Sequence, residues 1–488
     1  MRRRDTASLT AAAALALSFA PTLMRRRAGA QLAVSAASVA LGGAAGAATE
    51  LLVMRLAREL EGGESAARAA LVGAGALATL AELPRDPHPA VALGGQVARV
   101  AGICALIGAV APERETVPLD QPRRIAAVVA AGAAALVAWR QLERRSRPRR
   151  PRLAEYPVER RLATVAGVGA DFEGTRFLHT AVPGDEIGPG ARDPIRVFVG
   201  VHAAPSVEER ARLAVDELER LGAFGRRRIL VCSATLRGYV NPIPVAAEEH
   251  LSGGDVASVV VQYHDKRTLL MPAKVPLAAR THRALLEELR RRGAPEVCVY
   301  GESLGAWASQ NVFRRDGVRA LDEVGVRRAL WVGTPYFSRL PRLLARGEIP
   351  TDARVATVRT DELLAGAGEP GWRFVFLERR TDPVVLFRGL DLLWRRPDWL
   401  PPGRWTPGVT FVQLAFDLVA ATNWTATVPQ ALAHDYRLEV PLAVDLAFGH
   451  GAGRERVAAL ADRLVAEEVA RGARLRALRH GAGYTRTH

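Results

Sequence analysis

Hydrophobic residues are patterned in two ways along the chain. Up to about residue 140 they run in long blocks, at 8–24, 32–54, 69–83, 97–111 and 125–139, each approaching the ~20 apolar residues that a helix needs to cross a bilayer. The pattern predicts a transmembrane helical bundle of four or five spans within residues 1–150; Arg68, Glu82 and Arg99 shorten or interrupt the third and fourth. The alternative is one cleavable signal peptide, because Arg2, Arg3 and Arg4 precede an alanine-rich run. Four further apolar blocks argue for the bundle.

Beyond residue 194 the blocks shorten and alternate in type. Residues 195–201 form a compact apolar run, followed by 207–221, where Leu213, Val215, Leu218 and Leu221 recur at helical spacing behind Glu208 and Glu209. This reads as a strand and then a helix. Short β-branched runs follow at 228–234 and 256–262, an amphipathic helix at 278–292, and further strands at 297–300, 329–332 and 374–377. Strands alternating with helices predict an α/β domain over 195–488, with a mostly parallel sheet covered on both faces and its reactive groups at the carboxyl ends of the strands. Residues 151–194, punctuated by proline and glycine, read as a linker and entry segment. Residues 395–408, with Trp399 and Trp405, read as an irregular excursion, either a cap over a site or a packed surface loop. A basic amphipathic helix from Arg454 onward closes the chain.

Charge refines this picture. The formal net charge is +16, and Arg140, Arg144, Arg145, Arg147, Arg149, Arg150 and Arg152 cluster directly after the last apolar block. Such a cluster favours the cytoplasmic side and contact with anionic lipid, which places the α/β domain inside the cell; the N-terminal arginines agree if there are four spans. Nucleic acid is not expected as a partner, because much of the excess flanks the apolar blocks and no nucleic-acid module is legible. Cys104, Cys232 and Cys298 all fall in apolar runs, so they read as small buried hydrophobes and not as a disulfide framework or metal site. No cofactor or metal is expected.

The candidate chemistry lies in Gly301-Glu302-Ser303-Leu304-Gly305, directly after the apolar run from Val297 to Tyr300. Gly-x-Ser-x-Gly after a strand is the form of a nucleophile elbow, in which a sharp strand-to-helix turn lifts the serine hydroxyl clear of the sheet and leaves no room for a Cβ at either glycine. Ser303 needs a base and an acid that orients the base, in the chain order nucleophile, acid, histidine. Asp382 is the best-placed acid, since it follows the strand ending near Leu377 and precedes Pro383, which cannot continue a ladder; a turn-stabilising role is its alternative, and Asp391 and Asp398 are weaker rivals. His434 and His450 both qualify as the base, and spacing alone does not choose between them. The oxyanion would take the backbone N–H of Leu304 and a second donor from the loop at 234–238. Glu302 is expected to face solvent or a helix terminus. His264 and Asp265 follow another strand and read as structural.

A set of blocks in order adds to this reading. They include Gly174-Thr175-Arg176-Phe177, Asp193-Pro194-Ile195-Arg196-Val197, the run from Glu217 to Phe224, Gly253-Gly254-Asp255 and Gln262-Tyr263. They continue through the elbow to Asp382-Pro383-Val384-Val385, Arg396-Pro397-Asp398-Trp399-Leu400 and His434-Asp435-Tyr436. Together the blocks resemble the bacterial membrane-anchored α/β-hydrolase family, whose members carry several transmembrane helices ahead of a hydrolase domain. The resemblance implies an α/β-hydrolase fold and favours His434 as base, because the family's His-x-Tyr falls on His434 and Tyr436; Ala431-Leu432-Ala433 stands where that family commonly has glycine. It implies a membrane-bound serine hydrolase acting on a small-molecule or lipid ester at the bilayer. An acyltransferase using the same serine, and a catalytically silent membrane scaffold, are the alternatives. Oligomeric state is not legible.

Overall fold

The computed structural model describes residues 2–20, 23, 28–80, 89–111, 113–115, 165–235, 238–264, 275–369, 371–393, 395–397, 399–400, 405–406, 408–421 and 434–481. The chain divides into two compact units, Met1–Pro148 with Phe387–Asn423, and Arg149–Leu386 with Trp424–His488.

The first unit holds α1 (Thr6–Ser18), α2 (Ala28–Leu56), α3 (Gly63–Leu80) and α4 (Pro89–Val110), which fall in four of the five apolar blocks. The fifth block, 125–139, and the arginine cluster after it lie outside the described residues. Among the described residues one helix, Gly29–Leu56, is long and apolar enough to cross a membrane. By this measure the described residues support one of the four or five expected spans. Charge is part of the reason: the α3 residue Arg68, which interrupts its block, is buried and forks onto Glu50 of α2 at 2.8 and 2.6 Å. A pair of this kind satisfies both charges where neither could be buried alone. Small residues let the helices approach: a Cβ on Gly42 would lie 2.5 Å from the Thr10 carbonyl oxygen.

The helix Val409–Ala421 belongs to this unit as well. Its Val412 and Phe416 pack on Ala33 and Val34 of α2, and Gln413 Nε2 donates to the carbonyls that end α1, at 3.0 Å for Ser18. The chain after residue 386 thus leaves the α/β unit to complete the helical one. Trp405 Nε1 donates to the Leu392 carbonyl at 3.1 Å; Asp398 lies outside the described residues.

The second unit is built on eight parallel strands: β1 (Val165–Val168), β2 (Ile195–Val199), β3 (Arg228–Ser233), β4 (Val256–Val261), β5 (Glu296–Glu302), β6 (Val326–Val332), β7 (Val355–Arg359) and β8 (Phe374–Glu378). They are ordered β1-β2-β4-β3-β5-β6-β8-β7, with every neighbouring pair parallel. The helices that matter below are α5 (Phe172–His179), α6 (Val207–Arg220), α7 (Pro242–Leu251), α8 (Val275–Arg291), α9 (Leu304–Gln310), α10 (Val440–Phe448) and α11 (Arg454–Gly481). The segment 151–194, expected as a linker, contains β1 and α5 within its described part.

Alternate strand residues point to opposite faces. Ile195, Val197, Val199, Ile229 and Val231 join a core beneath α6 and α8, whereas Phe198, Leu230, Cys232, Cys298 and Tyr300 join one beneath α7, α10 and α11. Each fully buried aliphatic or aromatic side chain contributes roughly 1.5–3 kcal/mol, so the two cores hold the sheet rigid. Cys104, Cys232 and Cys298 are buried free thiols.

Candidate active site

The chain turns from β5 into α9 at Ser303, whose φ of +55° makes it the one described non-glycine residue in the left-handed region. The flanking glycines explain why the turn is possible. A Cβ on Gly305 would lie 2.1 Å from the Ser233 carbonyl oxygen at the end of β3, and one on Gly301 would lie 2.9 Å from the Ala306 backbone. The Ser303 N–H donates to the Val332 carbonyl at 2.9 Å, and the Ser303 carbonyl accepts from the Trp307 N–H at 3.1 Å. A strained serine is thereby pinned between two central strands, at their carboxyl edge.

Asp382 lies just beyond β8 and is fully buried. Its Oδ2 accepts from His434 Nδ1 at 2.6 Å and from the Tyr436 hydroxyl at 2.7 Å, and its Oδ1 accepts from the Val384 N–H at 2.8 Å. The carboxylate can only accept here, so the proton of the neutral imidazole sits on Nδ1 and Nε2 keeps its lone pair. Burial works most strongly against charging His434, but the adjacent Asp382 carboxylate, its hydrogen bond and the nearby Glu302 and Asp435 together raise the histidine above its ordinary range.

Gly333, directly after β6, bears on the same group. Its φ is +55°, and a Cβ there would fall 2.5 Å from His434 Cε1 and 2.8 Å from Tyr436 Cε2. Since Val332 holds the Ser303 N–H, adjacent residues on one strand end touch the serine's backbone and the imidazole. Tyr436 is fixed in turn by the Arg379 N–H, which donates to its hydroxyl at 3.1 Å. Arg379 Nη2 donates to the Asp435 carbonyl at 2.8 Å and to Glu439 Oε2 at 2.7 Å, clamping the His434 segment to the end of β8.

Two rival candidates, His450 and Asp391, have no part in this cluster, and one sequence expectation, that for Glu302, changes. His450 lies at the opposite edge of the sheet: its Nε2 is 2.7 Å from Glu248 Oε2, whose other oxygen meets Arg228 at the start of β3. Gly449, left-handed at φ +69°, ends α10 and turns the chain to that edge. Glu302 does not face solvent. It is buried, and its Oε2 accepts from the Tyr300 hydroxyl at 2.6 Å and Asn241 Nδ2 at 3.0 Å; burial raises its carboxyl above the usual range despite these donors. Asp391 is exposed in a short helical turn. Asn241 and Arg379 carry no local signal in the sequence, and Gly333 carries one, a glycine immediately after a predicted strand.

Of the predicted oxyanion donors, Leu304 is the first residue of α9. In the loop at 234–238, residues 236 and 237 lie outside the described set, while Ser233 presses its carbonyl against the elbow. His264 lies three residues beyond the end of β4, half-buried, and Asp265 lies outside the described residues.

Residues 195–448 match the model of an alpha/beta-hydrolase family. That stretch is just over half of the 488 residues and runs from β2 to the end of α10. No curated protein and no solved structure is similar enough to this chain to count as a match. The parallel eight-stranded sheet, the strained Ser303 turn and the family match lead to one conclusion: the chain belongs to the alpha/beta-hydrolase family.

Proposed function

We propose that this protein is a membrane-bound serine hydrolase that cleaves an ester of an apolar acyl group through an acyl-serine intermediate. The observation that carries the reading is the buried 2.6 Å bond between Asp382 and His434 Nδ1, at the sheet edge where Ser303 is held in a strained turn. In this account Ser303 Oγ attacks the ester carbonyl and its proton passes to His434 Nε2. The imidazolium then protonates the departing alcohol, and water reverses the sequence to free the acid. Asp382 keeps the Nδ1 proton in place and stabilises the cation. The oxyanion is received by the Leu304 N–H and a donor from the loop at 234–238.

Aromatic side chains support the apolar acyl group. Trp307, one turn beyond Ser303, packs on Phe337 with ring centroids 4.5 Å apart, and Tyr336 packs on Phe337 at 5.0 Å; all three are half-buried. The helix Gly29–Leu56 supports attachment to a bilayer, and the domain assignment of residues 1–150 as a transmembrane part rests on the same ground. Hydrolysis of p-nitrophenyl esters of increasing chain length by the detergent-solubilised protein tests the reading. Activity should rise from acetyl to medium-chain esters, be lost in His434→Ala and survive in His450→Ala. Loss in His450→Ala alone would overturn the choice of base.

A further inference from the structure

A cleft of about 550 Å³ opens on the second unit at the amino edge of the sheet. Arg290 at the end of α8, Arg327 and Arg328 in β6 and Arg373 just ahead of β8 line it, around the single carboxylate of Glu296 at the start of β5. Glu296 is already shared, at 3.3 Å with Arg328 Nε and 3.4 Å with Arg228 Nη2. Arg290, Arg327 and Arg373 are exposed and have no ion pair or side-chain hydrogen bond among the described residues. Elsewhere on this unit several arginines are matched with acids, whereas scattered exposed ones such as Arg212, Arg314 and Arg315 have no such partner among the described residues. Arg280 meets Glu208 at 2.7 Å, Arg292 meets Asp216 and Glu219 at 2.6 Å, and Arg354 bridges Asp322 and Asp352 at 2.8 Å.

Three unmatched guanidinium groups around one concave surface repel one another in the free protein, and a multiply charged anion relieves that repulsion. Guanidinium is suited to phosphate in particular, since its fork of N–H donors spans two oxygens. The volume lies within the range of small-molecule sites, and Ala294, Pro295, Val297 and Val324 give the cleft an apolar floor beside the charges. The cleft is not part of the hydrolase site: β5 runs from Glu296 here to Glu302 at the elbow, ~20 Å at the usual rise per strand residue.

We propose that this amino-edge cleft binds a phosphate-bearing anion, with its oxygens held by Arg290, Arg327 and Arg373. The same chemistry is offered by a soluble polyphosphate and by the headgroup of an anionic phospholipid. Isothermal titration of the full-length, detergent-solubilised protein separates the two, using inorganic pyrophosphate in one arm and glycerophosphoglycerol, a soluble lipid headgroup, in the other. Saturable one-to-one binding is expected in at least one arm; tighter pyrophosphate binding assigns a soluble ligand, and tighter phosphodiester binding assigns the lipid. Arg327→Gln combined with Arg373→Gln should weaken it by about tenfold or more, as loss of charge-assisted hydrogen bonds implies. Arg314→Gln combined with Arg315→Gln removes the same charge outside the cleft and should leave binding and thermal unfolding unchanged. Binding in neither arm, wild-type affinity in the first double variant, or equal weakening in both would overturn the proposal.

Discussion

Gly333 is the residue on which the proposed base depends most sharply. Any side chain there meets His434 within 3 Å and must also adopt a left-handed φ. Gly333→Ala should therefore displace the imidazole, and a misplacement of about 1 Å costs on the order of 100-fold in rate. Circular dichroism should show the fold retained while ester turnover falls by about that factor; unchanged turnover would mean that His434 is not the base. Tyr436→Phe is a milder test of the same cluster. It removes one donor from Asp382 and leaves the Nδ1 bond, so turnover should fall by about tenfold, in line with roughly 1–3 kcal/mol for a hydrogen bond to a charged group. The pH profile follows from the shift of His434. The general base must be neutral, and Asp382, with Glu302 and Asp435, favours its charged form over the opposing effect of burial. The acid limb of kcat/KM should thus lie above the ordinary histidine value of about 6.5. Asp382→Asn removes the carboxylate and leaves burial, so the limb should move to lower pH as the rate drops.

At the scale of elements, buried arginines tie helices to strands. Arg196 of β2 is fully buried, and its Nε and Nη2 meet the two Glu249 oxygens of α7 at 2.6 and 2.8 Å, while its remaining donors reach Phe177 and Thr180 at the end of α5. Arg196→Met would strand a buried carboxylate and should cost ~3–5 kcal/mol; the double variant Arg196→Met with Glu249→Leu should recover much of the loss. Thermal unfolding of both, read as a double-mutant cycle, checks this. The same scale shows what was legible. Six strands could be read because their residues are buried on both faces and form uninterrupted apolar runs. The edge strands β1 and β7 were not legible: Val165-Ala166-Gly167-Val168 is short and interrupted by glycine, and in Val355 to Arg359 buried Ala356 and Val358 alternate with exposed Thr357 and Arg359. The insertion of β8 between β6 and β7 has no local signal, because sheet order is set by non-local pairing. Of the site residues, Ser303 was legible through the spatial demands on its glycines. The choice between His434 and His450 was not, since it depends on which sheet edge each loop reaches. Glu302 was misread because its partners, Tyr300 and Asn241, are brought to it only by the folded sheet.

At the scale of the whole chain, the division into units does not follow the order of residues. Phe387–Asn423 belongs with the N-terminal helices, and Val412, Phe416 and Gln413 have their packing and hydrogen-bond partners there. Deleting residues 1–148 alone should leave an apolar helix without cover and yield an aggregating product. Deleting 1–148 and also replacing 387–423 with a short polar linker should yield a soluble α/β unit. Size-exclusion chromatography of the two truncations distinguishes these outcomes, and a soluble product from the first would contradict the assignment. The central claim, that Ser303 is an activated nucleophile, has a more direct test. Labelling of the full-length protein by a fluorophosphonate probe should be abolished by Ser303→Ala and by His434→Ala and retained in His450→Ala. Labelling that persists in Ser303→Ala would contradict it.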